Sequence, residues 1–96
     1  MRIILSILLL SVCYSQNCVA LEEVELWSEC YNIEETTSLD LSNSGLSGEI
    51  PVQIGDLINL EYLDLHGNQL TGEIPVEVGD LLSLQQLWLH VNQLTG

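Results

Sequence analysis

The 96-residue sequence contains a single arginine, no lysine and no phenylalanine, against 14 aspartates and glutamates, and its formal net charge is −13. Phosphate backbones and anionic lipids repel such a chain, which excludes electrostatic binding of nucleic acid or membrane surfaces and favours neutral or cationic partners. The apolar content of 47% in turn excludes an acidic disordered tail. Part of the chain must therefore bury a core.

Motifs of catalysis and of metal binding are also absent from the sequence. It has no glycine-rich phosphate loop, no Ser-His-Asp arrangement in a plausible catalytic setting, and no paired carboxylates that mark a pocket. The acids form neither the Asp-x-Asp-x-Asp loop of calcium hands nor a Gly-Gly-x-Gly-x-Asp run. We therefore expect a non-catalytic protein with no cofactor and no metal site, whose carboxylates form a solvated surface.

Apolar residues crowd the amino terminus, where they occupy 11 of the first 15 positions and Arg2 is the only charge. This layout predicts a secretory signal peptide over residues 1–15, because a membrane span needs about 20 apolar residues. Cleavage after Ser15 and cleavage after Ala20 both fit. The alternative is a bacterial lipoprotein with Cys13 as the lipidated residue, although Val12 stands where its motif requires a small residue.

Two cysteines, Cys18 and Cys30, follow the apolar segment. In an exported chain cut after Ser15 this pair is expected to oxidise. A cut after Ala20 would instead leave Cys30 as a free thiol, and a buried, reduced Cys30 is the other alternative. Neither cysteine has the histidine neighbours or the Cys-x-x-Cys spacing of a metal or redox site.

From residue 36 the sequence repeats itself at an offset of 24. A unit of this length cannot enclose a core alone, so each unit must stack on its neighbours. The equivalent positions are Leu39, Leu63 and Leu87; Leu41, Leu65 and Leu89; Leu46, Leu70 and Leu94; Gly48, Gly72 and Gly96; and, in pairs, Ile50 and Ile74, Pro51 and Pro75, Gly55 and Gly79, Asp56 and Asp80, Leu57 and Leu81, and Leu60 and Leu84.

The second unit shows how one repeat is built. Leu63 and Leu65 alternate with Tyr62, Asp64 and His66, which predicts a short strand with an inward leucine face and an outward polar face. Gly67 then permits a turn. At the bend, the short amide of Asn68, equivalent to Asn92 in the third unit, can satisfy backbone groups of the inward-turning chain.

The full pattern, Leu-x-x-Leu-x-Leu-x-x-Asn-x-Leu-x-Gly-x-Ile-Pro-x-x-Ile/Val-Gly-x-Leu, resembles the plant-type leucine-rich repeat. The resemblance covers residues 36–59, 60–83 and a truncated unit at 84–96. It implies an α/β-type repeat solenoid of 24-residue repeats, right-handed, with a concave parallel β-sheet and mostly loops or short helical turns on the convex side. The Gly-x-Ile-Pro variant further implies a second short strand after the asparagine bend.

Residues 16–35, which hold six of the 14 acids, are similar to the amino-terminal cap of such proteins. Trp27 and Cys30 carry this part of the resemblance. The first repeat departs from the pattern at Thr36, where a leucine belongs, and at Ser44, where the bend asparagine belongs. Terminal repeats often depart in this way where they meet a cap instead of a neighbour.

Stacking places equivalent strand positions about 4.8 Å apart, so outward residues form rows across the sheet. Members of this family bind partners on the concave face, and the resemblance therefore nominates the outward residues there. Trp88 is the most informative, because an exposed tryptophan is typical of binding hot spots, although a neighbouring strand or repeat could cover it instead. The concave-face candidates are Tyr62, Asp64, His66, Gln86, Trp88 and His90.

His66 and His90 fall on adjacent strands close to Asp64. This placement suggests a surface that responds between about pH 5 and 7, or a metal site. Two histidines without a third ligand do not define a zinc site, and ordinary solvated side chains are the simpler interpretation.

We predict an exported recognition module, secreted or at the cell surface (extracellular or periplasmic), that binds a protein, peptide or glycan on its concave face. One alternative is the amino-terminal ectodomain of a transmembrane receptor or receptor-like kinase. Another is a microbial surface protein with an adhesive or structural role. The sequence contains no Asn-x-Ser/Thr sequon, which argues slightly against a heavily glycosylated plant ectodomain.

The third unit stops at Gly96, before the Ile-Pro that the first two units contain. Its leucines are expected to face solvent, because a solenoid normally needs at least three repeats and a terminal cap. We therefore expect the sequence to be the leading fragment of a longer product. A membrane would enter only through missing downstream segments or through lipidation.

Overall fold

The computed structural model describes residues 18–95. The expected signal peptide over residues 1–15, including Cys13, lies outside the described residues, as does Gly96. Within residues 18–95, no helix has the length and apolarity needed to cross a membrane.

The described chain is built from short strands joined by turns and by 3-10 helices. Their order matches the repeating sequence, because the pair β3 and β4 and the pair β5 and β6 are each followed by a 3-10 helix that begins directly after a proline. The elements are β1 (Glu23–Leu26), β2 (Glu29–Asn32), β3 (Ser38–Asp40), β4 (Ser47–Glu49), the 3-10 helix η1 (Val52–Asp56), β5 (Tyr62–Asp64), β6 (Gln69–Gly72), the 3-10 helix η2 (Val76–Asp80), β7 (Gln86–Trp88) and β8 (Gln93–Leu94).

The first two strands form an antiparallel hairpin that covers one end of the repeats. Its turn residues Trp27 and Ser28 both have positive φ, 48° and 69°, the geometry of a tight two-residue hairpin turn. Leu26 is fully buried and joins the same apolar core as the repeats. A disulfide joins Cys18 to Cys30 and so ties the segment before β1 to β2.

Strands β3, β5 and β7 form a parallel sheet in that spatial order. The register pairs Leu39 with Leu63 and Leu63 with Leu87, so strand neighbours are residues 24 apart, the offset at which the sequence repeats. Strands β4, β6 and β8 form a second parallel sheet. Its partners, such as Gly48 and Leu70, are 22 residues apart, so this sheet is staggered by two residues relative to the repeat.

The core is a column of aliphatic side chains between the two sheets and the 3-10 helices. Leu63 and Leu65 are 1% and 0% exposed, as expected for strand positions two apart that face the same side. Gly55 is needed at the contact between η1 and η2, because a Cβ there would lie 2.7 Å from the carbonyl oxygen of Glu77. The buried apolar residues are Val24, Leu26, Leu39, Ile50, Ile54, Leu57, Leu60, Leu63, Leu65, Leu70 and Leu81.

The third repeat leaves its apolar positions partly uncovered. Leu87 is 38% exposed, whereas Leu63, the equivalent residue one strand earlier, is 1% exposed. The difference arises because β7 has a paired neighbour on only one side within residues 18–95. Leu89 and Leu94 are half-buried for the same reason.

Two asparagines link consecutive repeats at their bends. Asn68 Oδ1 accepts from the backbone N–H groups of Ser44 and Leu46, at 2.9 and 3.0 Å. Its amide nitrogen donates to the carbonyl oxygens of Leu41, Leu65 and His66. Asn92 makes the equivalent contacts with Leu70 N–H and with the carbonyls of Leu65, Leu89 and His90. One side chain thus satisfies backbone groups of two neighbouring repeats.

The charge distribution leads to a prediction about salt. No lysine or arginine follows Arg2, so the carboxylates of the repeats repel one another without compensating cations. We expect 1 M NaCl to stabilise the fold by about 1 kcal/mol over 50 mM NaCl, or about 4–8 °C in Tm. The measurement is thermal unfolding followed by circular dichroism. The double variant Glu49→Gln/Glu73→Gln should respond less to salt, and a Tm that does not change with ionic strength would contradict the prediction.

Candidate functional site

The outward face of the β3–β5–β7 sheet carries all six residues that the sequence nominates. The register places Tyr62 beside Gln86 and Asp64 beside Trp88. His66 and His90 follow β5 and β7 at the same edge of the sheet. Side-chain contacts connect the six into one continuous group, which we call the aromatic patch: Tyr62, Asp64, His66, Gln86, Trp88 and His90.

Backbone hydrogen bonds hold the two histidines in register. The N–H of Asn43 donates to the carbonyl oxygen of His66 at 2.9 Å, and the N–H of Gly67 donates to that of His90 at 3.1 Å. The imidazole rings stack with their centroids 4.6 Å apart and their planes 2° from parallel. The ring separation thus matches the strand spacing, so the stack follows directly from the repeat.

Asp64 departs from its expected exposure. The sequence placed it among the outward residues, but it is only 6% exposed. Tyr62 and His66, two residues away on either side, close over the carboxylate. The Tyr62 hydroxyl donates to Oδ2 at 3.1 Å, while Oδ1 lies 3.0 Å from the His66 backbone nitrogen and 2.6 Å from His66 Nδ1. Asp64 is therefore a residue that positions its neighbours, not an exposed contact residue.

These contacts change the acidity of both partners. Burial alone would raise the pKa of Asp64, but hydrogen bonds from the His66 backbone, the His66 ring and the Tyr62 hydroxyl outweigh it and lower the pKa below its ordinary value. The pKa of Tyr62 is raised by burial, by its hydrogen bond to Asp64 and by the negative charges of Asp64 and Asp40. Asp64 is therefore ionised, and Tyr62 protonated, at every physiological pH.

The lowered pKa of Asp64 predicts a pH dependence of stability. A carboxylate whose pKa is lower in the folded state stabilises the fold above its unfolded pKa, and this stabilisation disappears as the pH falls through the folded pKa. We expect Asp64→Asn to lose about 1 kcal/mol at pH 7 and the gap to the parent protein to close below about pH 4. Urea unfolding across this pH range measures it. The exposed aspartate Asp80 provides the control, since Asp80→Asn should track the parent throughout; a pH-independent gap for Asp64→Asn would contradict the assignment.

Trp88 is the main exposed apolar group of the aromatic patch. It is 44% exposed, and its indole lies 5.8 Å from the His90 ring at an interplanar angle of 57°. The indole N–H points to Gln86 Oε1 at 3.4 Å, a weak contact that leaves the ring face open. Together with the stacked histidines, Trp88 presents an aromatic surface to solvent.

The next row along the sheet has a backbone feature that the sequence indicated only in part. Asn43, Gly67 and Val91 occupy equivalent positions and have φ values of 51°, 72° and 57°. Glycine and asparagine adopt this left-handed conformation readily, whereas a β-branched valine does so at a cost. The repeat imposes the turn even where the third unit supplies an unfavourable residue, and Val91 remains 69% exposed beside the aromatic patch.

The patch does not contain a complete catalytic or metal set within residues 18–95. The Asp64–His66 pair resembles the orienting acid and the base of a hydrolase. In the described chain, however, no serine hydroxyl and no cysteine thiol bonds to the His66 ring. The one group of three candidate metal-binding side chains in that part of the chain is Cys18, Glu23 and Cys30. Its two cysteines are joined in the disulfide and offer no thiolates.

A separate open groove of about 400 Å³ lies beside η2. Its floor is apolar, with Ile50 and Ile74, and three carboxylates, Glu49, Glu73 and Glu77, border it. The residues that line the groove include no histidine, serine, threonine or cysteine. Its only charges are negative.

Comparison with known proteins agrees with the repeat architecture. The family model described as Leucine Rich Repeat matches residues 35–57 and 59–81. These two segments contain β3 to η2 almost entirely. A search among curated proteins finds no match to the chain.

Proposed function

Because this chain is a leucine-rich repeat protein, we propose that it is an exported recognition module that binds a protein or peptide through the aromatic patch on its concave face. Leucine-rich repeat domains in general mediate protein binding and are typically non-catalytic. The observation that carries the proposal is the exposure of Trp88, at 44%, on a rigid strand beside the stacked His66 and His90 rings. Aromatic side chains that are held rigidly and left exposed are typical of binding hot spots.

Two features support export. The first 15 residues have the composition of a signal peptide, and the Cys18–Cys30 disulfide is of a kind that persists in oxidising compartments. A protein or peptide ligand is favoured over a glycan because leucine-rich repeat domains in general bind proteins.

A photo-crosslinking experiment tests the proposal. A photoreactive phenylalanine replaces Gln86, next to Trp88, and the purified protein is incubated with extracellular fluid of the source organism. Crosslinked proteins are then identified by mass spectrometry. We expect one or a few partners to be captured, and Trp88→Ala in the same background to reduce capture at least tenfold, the loss of a hot spot of about 2 kcal/mol.

The control is an apolar truncation away from the patch. Val76 is 87% exposed and borders the separate groove, so Val76→Ala removes an exposed apolar group, smaller than an indole, from another surface. Both variants must show the circular dichroism spectrum of the parent protein. Capture that survives Trp88→Ala and disappears with Val76→Ala would place binding elsewhere and refute the proposal.

A further inference from the structure

The aromatic patch contains a row of rings whose charge depends on pH. Trp88, His90 and His66 follow one another at centroid distances of 5.8 and 4.6 Å, and His66 continues the row to Asp64 through the 2.6 Å contact at Nδ1. Histidine is the side chain that ordinarily changes charge between about pH 5 and 8. Protonation of His66 or His90 would therefore add positive charge to this surface.

The two histidines differ in the groups that they contact. His66 is bonded to the Asp64 carboxylate, whose charge balances one added proton on that ring. His90 has the His66 ring on one face and the uncharged Trp88 and Gln86 on its own strand. The Asp64 carboxylate is thus the one that contacts the stacked imidazoles, and it can balance one positive charge. If both imidazoles were protonated, the second positive charge would have no carboxylate in contact with it.

The charged and titratable side chains that the register places beside the row, within residues 18–95, lie on β5 and β3. β5 contributes Asp64 and Tyr62, and β3 contributes Asp40, which the register aligns with Asp64 and Trp88. β7 contributes no charged side chain. The row is therefore an aromatic surface beside two carboxylates, in a chain without lysine or arginine after Arg2.

Such a surface complements a cationic side chain. A guanidinium or ammonium group is attracted to the face of a tryptophan, and nearby carboxylates reinforce the attraction. Negative charge throughout the remaining chain steers basic partners toward the protein and acidic partners away. Protonation of both histidines cancels the charge of the two carboxylates and places positive charge where the ligand cation would lie.

Resting on the proposed function, we infer that the aromatic patch binds an arginine or lysine side chain of its partner at neutral pH and releases it when His66 and His90 become protonated. The cation lies against the exposed rings of Trp88 and His90. Release follows from like-charge repulsion inside the patch and requires no movement of the backbone, which the hydrogen bonds from Asn43 and Gly67 hold in register.

Two short synthetic peptides probe the inference, acetyl-Ser-Arg-Ser-Arg-Ser-amide and its counterpart with glutamine in place of each arginine. Binding to the isotope-labelled protein is followed by NMR, using the indole N–H signal of Trp88 and the ring signals of the histidines. We expect the arginine peptide to shift these signals at pH 7.5 and to bind at least about fivefold more weakly at pH 5.0, the effect of one like charge at close range. The glutamine peptide should shift them at neither pH.

Variants distinguish a pH dependence of binding caused by the histidines from one caused by the carboxylates. His66→Gln/His90→Gln keeps polar side chains of similar reach but cannot take up a proton, so its affinity for the arginine peptide should change less than twofold between pH 7.5 and 5.0. Asp80→Asn, which removes a distant acid, should keep the pH dependence of the parent. If the double glutamine variant retains the full pH dependence of the parent, carboxylates and not histidines cause that dependence, and the inference is overturned.

The remaining outcomes are equally decisive. Equal shifts by both peptides, no binding of the arginine peptide, or shifts centred on Glu49, Glu73 and Glu77 in the separate groove would each overturn the inference. None of these results touches the proposed function, which depends on capture of a natural partner and its sensitivity to Trp88→Ala. A partner captured through Trp88 with the same yield at pH 7.5 and 5.0 would keep the recognition role and remove the pH-controlled cation site.

Discussion

Replacing Asn68 with leucine is expected to destabilise the folded chain by about 3–5 kcal/mol, enough to unfold much of a domain this small at 37 °C. Leucine has the same number and branching of side-chain heavy atoms as asparagine and is somewhat larger, so the substitution removes hydrogen bonds without opening a cavity. Asn68 is 5% exposed, and its loss leaves the N–H groups of Ser44 and Leu46 without an acceptor and the carbonyl of Leu41 without a donor. Each buried backbone group left unpaired costs about 1–3 kcal/mol.

Two further asparagines provide matched controls in urea unfolding. Asn92→Leu removes the equivalent amide from the open side of the third repeat, where water can replace part of its bonding, and should cost about 1–2 kcal/mol. Asn59 is exposed and donates only to the Glu34 carbonyl, so Asn59→Leu should change stability by less than about 0.5 kcal/mol. Equal losses at positions 68 and 59 would show that the bend amide has no special role.

The comparison of sequence with structure shows which features a repeating pattern can predict. Period-two alternation predicts a buried leucine face, and Leu63 and Leu65 are indeed fully buried. The alignment of outward residues follows from the offset of 24, because the strands pair residues that far apart. Both depend only on backbone geometry, which every repeat shares.

Features that depend on side-chain conformation could not be predicted in the same way. The sequence places Asp64 on the outward face, but only the structure shows that Tyr62 and His66 cover it, because cover depends on the rotamers of its neighbours. The Asp64 carboxylate also accepts from the backbone two residues on, as Asp40 does from Ser42. The sequence signal for this hydrogen bond was an aspartate at the end of a strand, two residues before a polar residue.

The end of the third repeat shows a further limit. Sequence alone predicts that its leucines face solvent, and Leu87 does so. The left-handed φ of Val91 was not predictable from its residue type, since valine disfavours this conformation. Hydrogen bonding between repeats determines this turn more strongly than local propensity does, because Gly67 N–H must reach the carbonyl of His90.

Removal of the disulfide is the second large effect that we expect. Cys18 and Cys30 are 12 residues apart, and closing a loop of this length in the unfolded chain stabilises a fold by about 3 kcal/mol. The double variant Cys18→Ser/Cys30→Ser should lose this stability in urea unfolding, and the parent protein in dithiothreitol should lose the same amount. Dithiothreitol should leave the double variant unchanged, which excludes a general effect of the reductant.

The same bond bears on the proposed cleavage of a signal peptide. Cleavage after Ala20 would remove Cys18 together with Val19, whose carbonyl accepts from the N–H groups of Glu22 and Glu23 at 3.1 and 2.8 Å. Cleavage after Ser15 retains both, so the contacts of the cap favour the earlier site. We expect the intact mass of the secreted protein to correspond to a chain that starts at Gln16 with its two cysteines oxidised. The contradicting result is a folded chain that starts at Leu21 and has the same urea midpoint as Cys18→Ser/Cys30→Ser. It would show that the cap folds without the disulfide.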